Sequence, residues 1–203
     1  MNILLLHGIF DTARIFKPMQ TMLEASGHVC LAPSMKPSDA RHGIHDLACF
    51  VERYVNRYLP ESEPFAVVGF SMGGIVARQY MQALGGAARV PAFFSISSPH
   101  AGTLASYLHF GQGAMDMRPD SALLSALRRT EDRLDGMAIH NYWTPLDMVV
   151  VPATNCRWPR ADSETRVHAW LHATMPRHPV VCRDITRRIH ALESSMLPHS
   201  GET

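Results

Sequence analysis

Hydrophobic residues along the chain follow two spacings that alternate from one segment to the next. Runs of consecutive apolar residues predict buried strands at 3–6, 28–31, 65–70, 90–97, 137–142 and 166–167. Between these runs, apolar residues recur every three or four positions and predict helices at 12–26, 47–59, 73–84, 121–129 and 180–192. Strands that alternate with helices in this way are typical of an α/β fold with a mostly parallel central sheet and helices on both faces.

Segment 102–136 is the least regular part of the chain, and we expect either a flap or a long connection there. Some of its apolar residues are candidates for the lining of a groove, with ordinary packing as the alternative; they are Tyr107, Phe110, Met115 and Met117. Residues 1–203 are predicted to form a single domain, because this length suits one domain and leaves no room for a large cap domain.

Composition and charge exclude several classes of function. The 19 lysine and arginine residues nearly balance the 18 aspartate and glutamate residues, so the net charge of +1 provides no basic surface for a nucleic acid. No stretch of the sequence reaches the roughly 18 consecutive apolar residues of a membrane-spanning helix. The first residues lack the basic start and the small-residue cleavage site of a secretion signal, so we expect a cytoplasmic protein.

The strongest chemical signal is the segment 69–74 (GFSMGG), which fits the pattern G-x-S-x-G. It stands between a predicted buried strand and a predicted helix, where a tight turn forces Ser71 into a strained conformation with its hydroxyl at the sheet edge. Gly69 and Gly73 lack the Cβ atoms that would collide across such a turn. Ser71 is therefore the predicted nucleophile, and the alternative is a glycine-rich turn with an incidental serine.

A second signal, the segment 7–10 (HGIF), directly follows the first predicted strand. Gly8 lets the chain bend close to the nucleophile, and an amide of this segment is a candidate donor of a hydrogen bond to an oxyanion. The amide of Met72 is the predicted second donor, because the N-terminal amides of a helix favour negative charge.

Together with the segment 97–103 (SSPHAGT), these two motifs resemble the α/β-hydrolase superfamily, and specifically its small lipases and esterases. The resemblance extends over nearly the whole chain and implies the minimal form of that fold. It implies Ile9 and Met72 as the oxyanion donors, with Phe10 as a substitute for Ile9. It also implies a catalytic triad whose members follow one another along the chain in the order serine, acid, histidine.

The resemblance implies Asp147 as the acid of this triad. The segment 141–152 (NYWTPLDMVVVP) is similar to the family stretch in which an aspartate follows a strand and precedes valine and proline. The role of Asp147 would be to hold the imidazole in the right tautomer and to stabilise its protonated form. Asp132 and Asp135 are the alternatives, and they lie in a charged stretch that is typical of a solvated face.

The same resemblance favours His172 as the histidine, because the family's histidine is followed by an apolar residue and, several positions later, by a final helix. His168 is the alternative. The other histidines downstream of Asp147 fit this spacing less well; they are His178, His190 and His199.

His168 and His172 are four positions apart, a spacing that also suits two metal ligands on one face of a helix. We expect no metal site, because no third ligand stands at a recognisable spacing and because Pro176 and Pro179 oppose a long helix there. Phe10 and His100 are candidate substrate contacts. For His100, which lies in the loop after the fourth predicted strand, support of its loop is the alternative.

These residues predict a serine hydrolase that cleaves carboxylic esters through an acyl-enzyme intermediate, without a metal or an organic cofactor. The expected partner is a small-molecule ester or lipid. An acyltransferase or thioesterase on the same fold is the first alternative function, and a non-catalytic binding protein is the second.

Overall fold

Parallel strands form one sheet at the centre of the computed structural model, which describes residues 1–196 of the chain. The strands are β1 (Asn2–Leu6), β2 (Val29–Leu31), β3 (Phe65–Phe70), β4 (Ala92–Ile96), β5 (Ala138–Trp143) and β6 (Ser163–Arg166). They lie side by side in the order β2-β1-β3-β4-β5-β6, and each neighbouring pair is parallel. The predicted mostly parallel α/β sheet is thereby confirmed.

Helices cover both faces of the sheet. The α-helices are α1 (Lys17–Ala25), α2 (Ile44–Tyr58), α3 (Met72–Ala83), α4 (Gln112–Asp116), α5 (Ala122–Arg129) and α6 (Pro179–Met196). Short 3-10 helices occur at Ala13–Phe16, Gly86–Arg89, Leu104–Leu108, Glu131–Leu134, Ala153–Cys156 and His172–Arg177. None of the helices among residues 1–196 combines the length and the apolar character needed to cross a bilayer.

Two hydrophobic clusters hold these layers together, one on each face of the sheet. Because successive residues of a strand point to opposite faces, Leu4 and Leu6 of β1 join the cluster under α2, α3 and α5. Ile3 and Leu5 of the same strand join the cluster under α1 and α6. β1 is therefore buried on both faces, as is typical of a strand in a parallel sheet covered by helices.

The order of the strands reverses between β1 and β3. From β1 the chain first continues outward to β2 and then returns to place β3 on the other side of β1. In open α/β sheets the crevice beyond the carboxyl ends of two such strands is the usual place for a ligand site. The segment 7–10 follows β1 and Ser71 follows β3, so both sequence signals lie at this crevice.

Sequence and structure differ most where hydrophobic spacing is weak. The last strand, predicted at 166–167, is observed at Ser163–Arg166, where an edge strand of polar and partly exposed residues lacks an apolar run. The predicted helix 12–26 begins as the 3-10 turn Ala13–Phe16 and becomes α1 only at Lys17. Within segment 102–136, α4 was not predicted because its five residues are too few to show a helical period.

A buried arginine connects α3 to the segment after α5. Arg78 is 1% exposed, and its guanidinium donates to Glu131 Oε1 at 2.8 Å and to the Leu127 carbonyl at 3.1 Å. The Trp158 indole lies against the guanidinium at 4.4 Å and donates to the same Glu131 oxygen at 2.7 Å. Burial lowers the pKa of Arg78 to about 10, so this side chain keeps its charge at neutral pH.

We expect the substitution Glu131→Ala to lower the free energy of unfolding by about 3 kcal/mol. This is the lower end of the range for breaking a buried ion pair, because the Arg78 cation loses its counter-charge while Glu131 itself is 26% exposed. Urea unfolding near neutral pH measures the change.

Asp135→Ala is the matched control. Asp135 also contacts an arginine, Arg160, at 2.9 Å, but its side chain is 75% exposed, and we expect a loss below about 1 kcal/mol. Equal losses in the two variants would contradict a special role for the buried pair.

Candidate active site

Ser71 lies in the turn between β3 and α3, as the sequence motif predicts. Its backbone has φ 53° and ψ −124°, a strained conformation for a residue with a side chain, and its amide donates to the Ile96 carbonyl at 2.9 Å. Glycine is required on both sides of the turn. A Cβ atom on Gly69 would lie 2.5 Å from the Gly74 Cα, and one on Gly73 would lie 2.1 Å from the Leu6 carbonyl oxygen.

The segment after β1 approaches this turn closely at Gly8. A Cβ atom on Gly8 would lie 3.0 Å from the Ser71 Cβ, so a larger residue would press against the serine. The buried His7 holds the segment in place, because its Nδ1 lies 2.8 Å from the Gly8 carbonyl and its Nε2 accepts from the Met35 amide at 2.8 Å. Burial lowers the pKa of His7, so its ring acts as a neutral support.

The amides near Ser71 differ in whether they are free to bind a ligand. The Phe10 amide donates to the Ser38 carbonyl at 2.8 Å and is therefore occupied. Among the hydrogen bonds of residues 1–196, none is donated by the amide of Ile9 or by that of Met72, the first residue of α3. This difference favours Ile9 over Phe10 as an oxyanion donor.

The structure brings His172 and Asp147 into direct contact. The Nδ1 atom of His172 donates to Asp147 Oδ2 at 2.7 Å, since a carboxylate can only accept. The other carboxylate oxygen accepts from the amides of Val149 at 2.9 Å and Val150 at 2.8 Å. Burial raises the pKa of Asp147, but the hydrogen bond and the charge of His172, together with these two amides, hold that pKa below its ordinary value.

The imidazole of His172 lies beside the turn that carries Ser71. Its ring contacts the ring of Phe70, the residue before Ser71, with 4.8 Å between ring centroids. Its Nε2 atom is buried and has no hydrogen-bond partner within residues 1–196. His172 thus has one nitrogen fixed by a carboxylate and the other available for a proton.

None of the described alternative histidines and aspartates takes part in the contact between His172 and Asp147. His168 is exposed, His190 is exposed on α6, and the His178 Nδ1 accepts from the Val180 amide at 3.3 Å. His199 lies outside the described residues. Asp132 and Asp135 are exposed, and Asp135 pairs with Arg160.

His100 has the surroundings of a structural residue. It is 4% exposed, its Nε2 lies 2.7 Å from the Ser95 hydroxyl, and its Nδ1 lies 3.3 Å from the Arg78 guanidinium. Its ring also stacks on that of Trp158 at 4.4 Å. These contacts favour support of the loop after β4 over the substrate contact that the sequence also allowed.

A narrow apolar cleft opens beside Ser71. Its lining comes from the loops after β1, β4 and β5 and from segment 102–136; it includes Ile9, Pro99, Ala105, Met117, Val149 and Val150. Of the groove residues predicted from the sequence, Met117 lines this cleft, whereas Tyr107, Phe110 and Met115 are exposed. Phe10 is 62% exposed, and its ring lies 5.4 Å from that of His109, another residue of the cleft.

Asp11 is a residue of this site that sequence reasoning missed. Its Oδ2 atom lies 3.3 Å from the position that a Gly8 Cβ would take, and the Ser71 Cβ lies 3.0 Å from that same position. Burial raises the pKa of Asp11, and electrostatic interactions with the nearby His7, His172 and Arg177 side chains oppose that shift. The one available signal was its position directly after the segment 7–10.

A metal site does not emerge from the described residues. Within residues 1–196, no three histidine, cysteine, aspartate or glutamate side chains are arranged to hold a metal ion. His172, which the sequence spacing also allowed as a metal ligand, uses its Nδ1 for Asp147.

The chain belongs to the alpha/beta hydrolase family, whose sequence profile matches residues 3–197. The family resemblance drawn from the sequence motifs is thereby confirmed. No curated protein matches the chain significantly.

Solved structures show the same fold at low sequence identity. The mature lipase BlEst2 of Bacillus licheniformis is 12% identical with a TM-score of 0.72, and the match covers 95% of this chain and 91% of that one. The pyrethroid hydrolase PytH is 18% identical with a TM-score of 0.66, covering 95% and 99%. Polyneuridine aldehyde esterase is 15% identical with a TM-score of 0.64, covering 95% and 98%.

The lowered pKa of Asp147 predicts how this residue affects stability at different pH. A carboxylate whose pKa is lower in the folded state stabilises the fold above its unfolded pKa of about 4, and this stabilisation is lost as pH falls through the folded value. We therefore expect Asp147→Asn to lose less stability than the unsubstituted protein when pH is lowered from about 7 to about 3. Urea unfolding at the two pH values measures both differences.

Asp132→Asn serves as the control, because Asp132 is exposed and its carboxylate pairs with no histidine among residues 1–196. Its loss of stability on lowering the pH should equal that of the unsubstituted protein. An unchanged pH dependence in Asp147→Asn would show that the contact with His172 does not persist in solution.

Proposed function

We propose that this protein hydrolyses carboxylic esters, with Ser71 as nucleophile, His172 as general base and acid, and Asp147 as the residue that orients His172. One observation supports the proposal above the others: the serine on the strained turn directly follows Phe70, and the Phe70 ring contacts an imidazole whose Nδ1 is held by a buried carboxylate and whose Nε2 has no partner among residues 1–196. A serine hydroxyl is a weak nucleophile by itself, and an adjacent base of this kind activates it.

In the first half of the reaction, the Ser71 oxygen attacks the ester carbonyl while His172 Nε2 accepts its proton. The negative charge that forms on the carbonyl oxygen is bound by the amides of Ile9 and Met72, which have no other acceptor among residues 1–196. The carbon–oxygen bond to the alcohol then breaks, and His172 returns the proton to the departing oxygen. The acyl group remains on Ser71.

In the second half, a water molecule attacks the acyl-enzyme and His172 accepts a proton from it. Collapse of the second tetrahedral intermediate releases the acid and returns the proton to Ser71. Throughout both halves, Asp147 stabilises the protonated imidazole through the hydrogen bond to Nδ1.

The apolar cleft supports an acyl chain as the part of the substrate bound beside Ser71. Ala105, Met117, Val149 and Val150 offer it no charge, and burial of each methylene contributes about 0.8 kcal/mol. The exposed ring of Phe10 at the same edge is a further proposed contact for the substrate.

Ser71→Ala should lower the rate of p-nitrophenyl butyrate hydrolysis by at least about 1,000-fold, because the acyl-enzyme can no longer form. The same variant should no longer react with a fluorophosphonate probe, which labels only activated serines. Equal rates in the two proteins, or an unlabelled Ser71 in the unsubstituted protein, would overturn the proposal. Products formed with a competing alcohol, or faster turnover of acyl thioesters, would identify an acyltransferase or a thioesterase instead.

His172→Ala and His168→Ala form a matched pair for the histidine. We expect a loss of at least about 1,000-fold in kcat for His172→Ala, since the base is removed, and a change within about twofold for the exposed His168. Steady-state kinetics with the same ester measures both. A large loss in His168→Ala alone would transfer the role to that residue.

A further inference from the structure

One carboxylate beside Ser71 has no part in the proposed reaction. Asp11 follows the segment 7–10, and its Oδ2 atom lies 3.3 Å from the position of a Cβ on Gly8. The Ser71 Cβ lies 3.0 Å from that same position. A substrate bound to Ser71 therefore reaches the neighbourhood of this carboxylate.

The Asp11 carboxylate is available to a ligand. Within residues 1–196 its side chain takes part in no hydrogen bond and in no ion pair, although it is half-buried. The charged or titratable groups around it are His7, His172 and Arg177. His7 is engaged by Gly8 and Met35, His172 by Asp147, and the exposed Arg177 lies beyond ion-pair distance.

The two parts of an ester meet different surroundings at Ser71. The apolar cleft, which suits an acyl chain, is lined by neither Asp11 nor His172. The alcohol part lies near His172, because that imidazole gives its proton to the departing oxygen. Asp11 is close to Ser71 through Gly8 yet does not line the cleft, so the alcohol part is the part of the substrate nearest to it.

We infer that Asp11 binds the alcohol part of the substrate by accepting a hydrogen bond from a hydroxyl or ammonium group close to the ester oxygen. The inference depends on the proposed ester hydrolysis and narrows its substrates to esters of polyols or amino alcohols. An ionised carboxylate only accepts, and its hydrogen bonds are about twice as strong as those between neutral groups. Esters whose alcohol part carries a negative charge would be repelled.

A pair of nearly isosteric esters tests this directly. Propyl butyrate and 2-hydroxyethyl butyrate differ in a terminal methyl against a terminal hydroxyl, so the ratio of their kcat/KM values isolates the hydroxyl contact. Asp11→Ala should lower the preference for the hydroxyl ester by about tenfold and change kcat/KM for propyl butyrate by less than about threefold. Asp11→Asn keeps an acceptor oxygen without the charge, so its preference for the hydroxyl ester should lie between that of Asp11→Ala and that of the unsubstituted protein.

Asp132→Ala is the matched control, because it removes the same charge from an exposed position outside the site. It should keep the ratio of the unsubstituted protein. Ser71 should still be labelled by the fluorophosphonate in Asp11→Ala, which reports that the fold and the serine are intact.

Two results would overturn the role of Asp11. In the first, the ratio of the two kcat/KM values stays unchanged in Asp11→Ala. In the second, hydrolysis of both esters becomes slower by a similar large factor, which would mean that Asp11 affects the reacting groups and not the binding of the alcohol part. Failure of ester hydrolysis itself has a different signature. In that case the unsubstituted protein cleaves neither ester and Ser71 is not labelled.

Discussion

The strained conformation of Ser71 is the constraint on which the rest of the site depends. A residue with a side chain at φ 53° costs on the order of 1–3 kcal/mol, so the surrounding structure must hold it there. β3, buried along its whole length, fixes the chain before the turn, and the hydrogen bond to Ile96 fixes the turn itself. This packing requires glycine at Gly8 and Gly73, because β1 and the segment after it pass within contact distance of the serine and its helix.

Loops from distant parts of the sequence complete the site at the same edge of the sheet. The loop after β5 carries Asp147 and the loop after β6 carries His172, and a second bond ties them, from the Thr144 hydroxyl to the Ala169 carbonyl at 2.9 Å. The Val149 and Val150 amides fix the carboxylate from the other side. Both partners of the imidazole contact are therefore oriented before any substrate arrives, which is the condition for efficient positioning.

Local patterns predicted local structure well and contacts across the fold poorly. The strand 65–70 and the turn at Ser71 follow from neighbouring residues, because a buried apolar run and two glycines are enough to specify them. The contact between Asp147 and His172 joins residues 25 positions apart, and only the family resemblance could suggest it. Nothing in the sequence indicated that Asp11 and Ser71 both lie close to Gly8 or that His100 stacks on Trp158, because both depend on how separate loops pack together.

The bonds that anchor segment 102–136 define how much of it is free to change shape. At one end Thr103 donates to the Met117 and Val149 carbonyls, and further along, the Gly113 amide donates to Ala40. At the other end Leu127 and Glu131 accept from Arg78. Within the described chain, residues 105–110 make no hydrogen bond beyond residues 103–110, so packing contacts such as that of Tyr107 with Arg118 hold this stretch in place. Ala105, Ser106 and His109 are therefore a part of the cleft lining that no hydrogen bond among residues 1–196 ties to the fold beyond 103–110, and the nearly bare ring of Phe110 follows them.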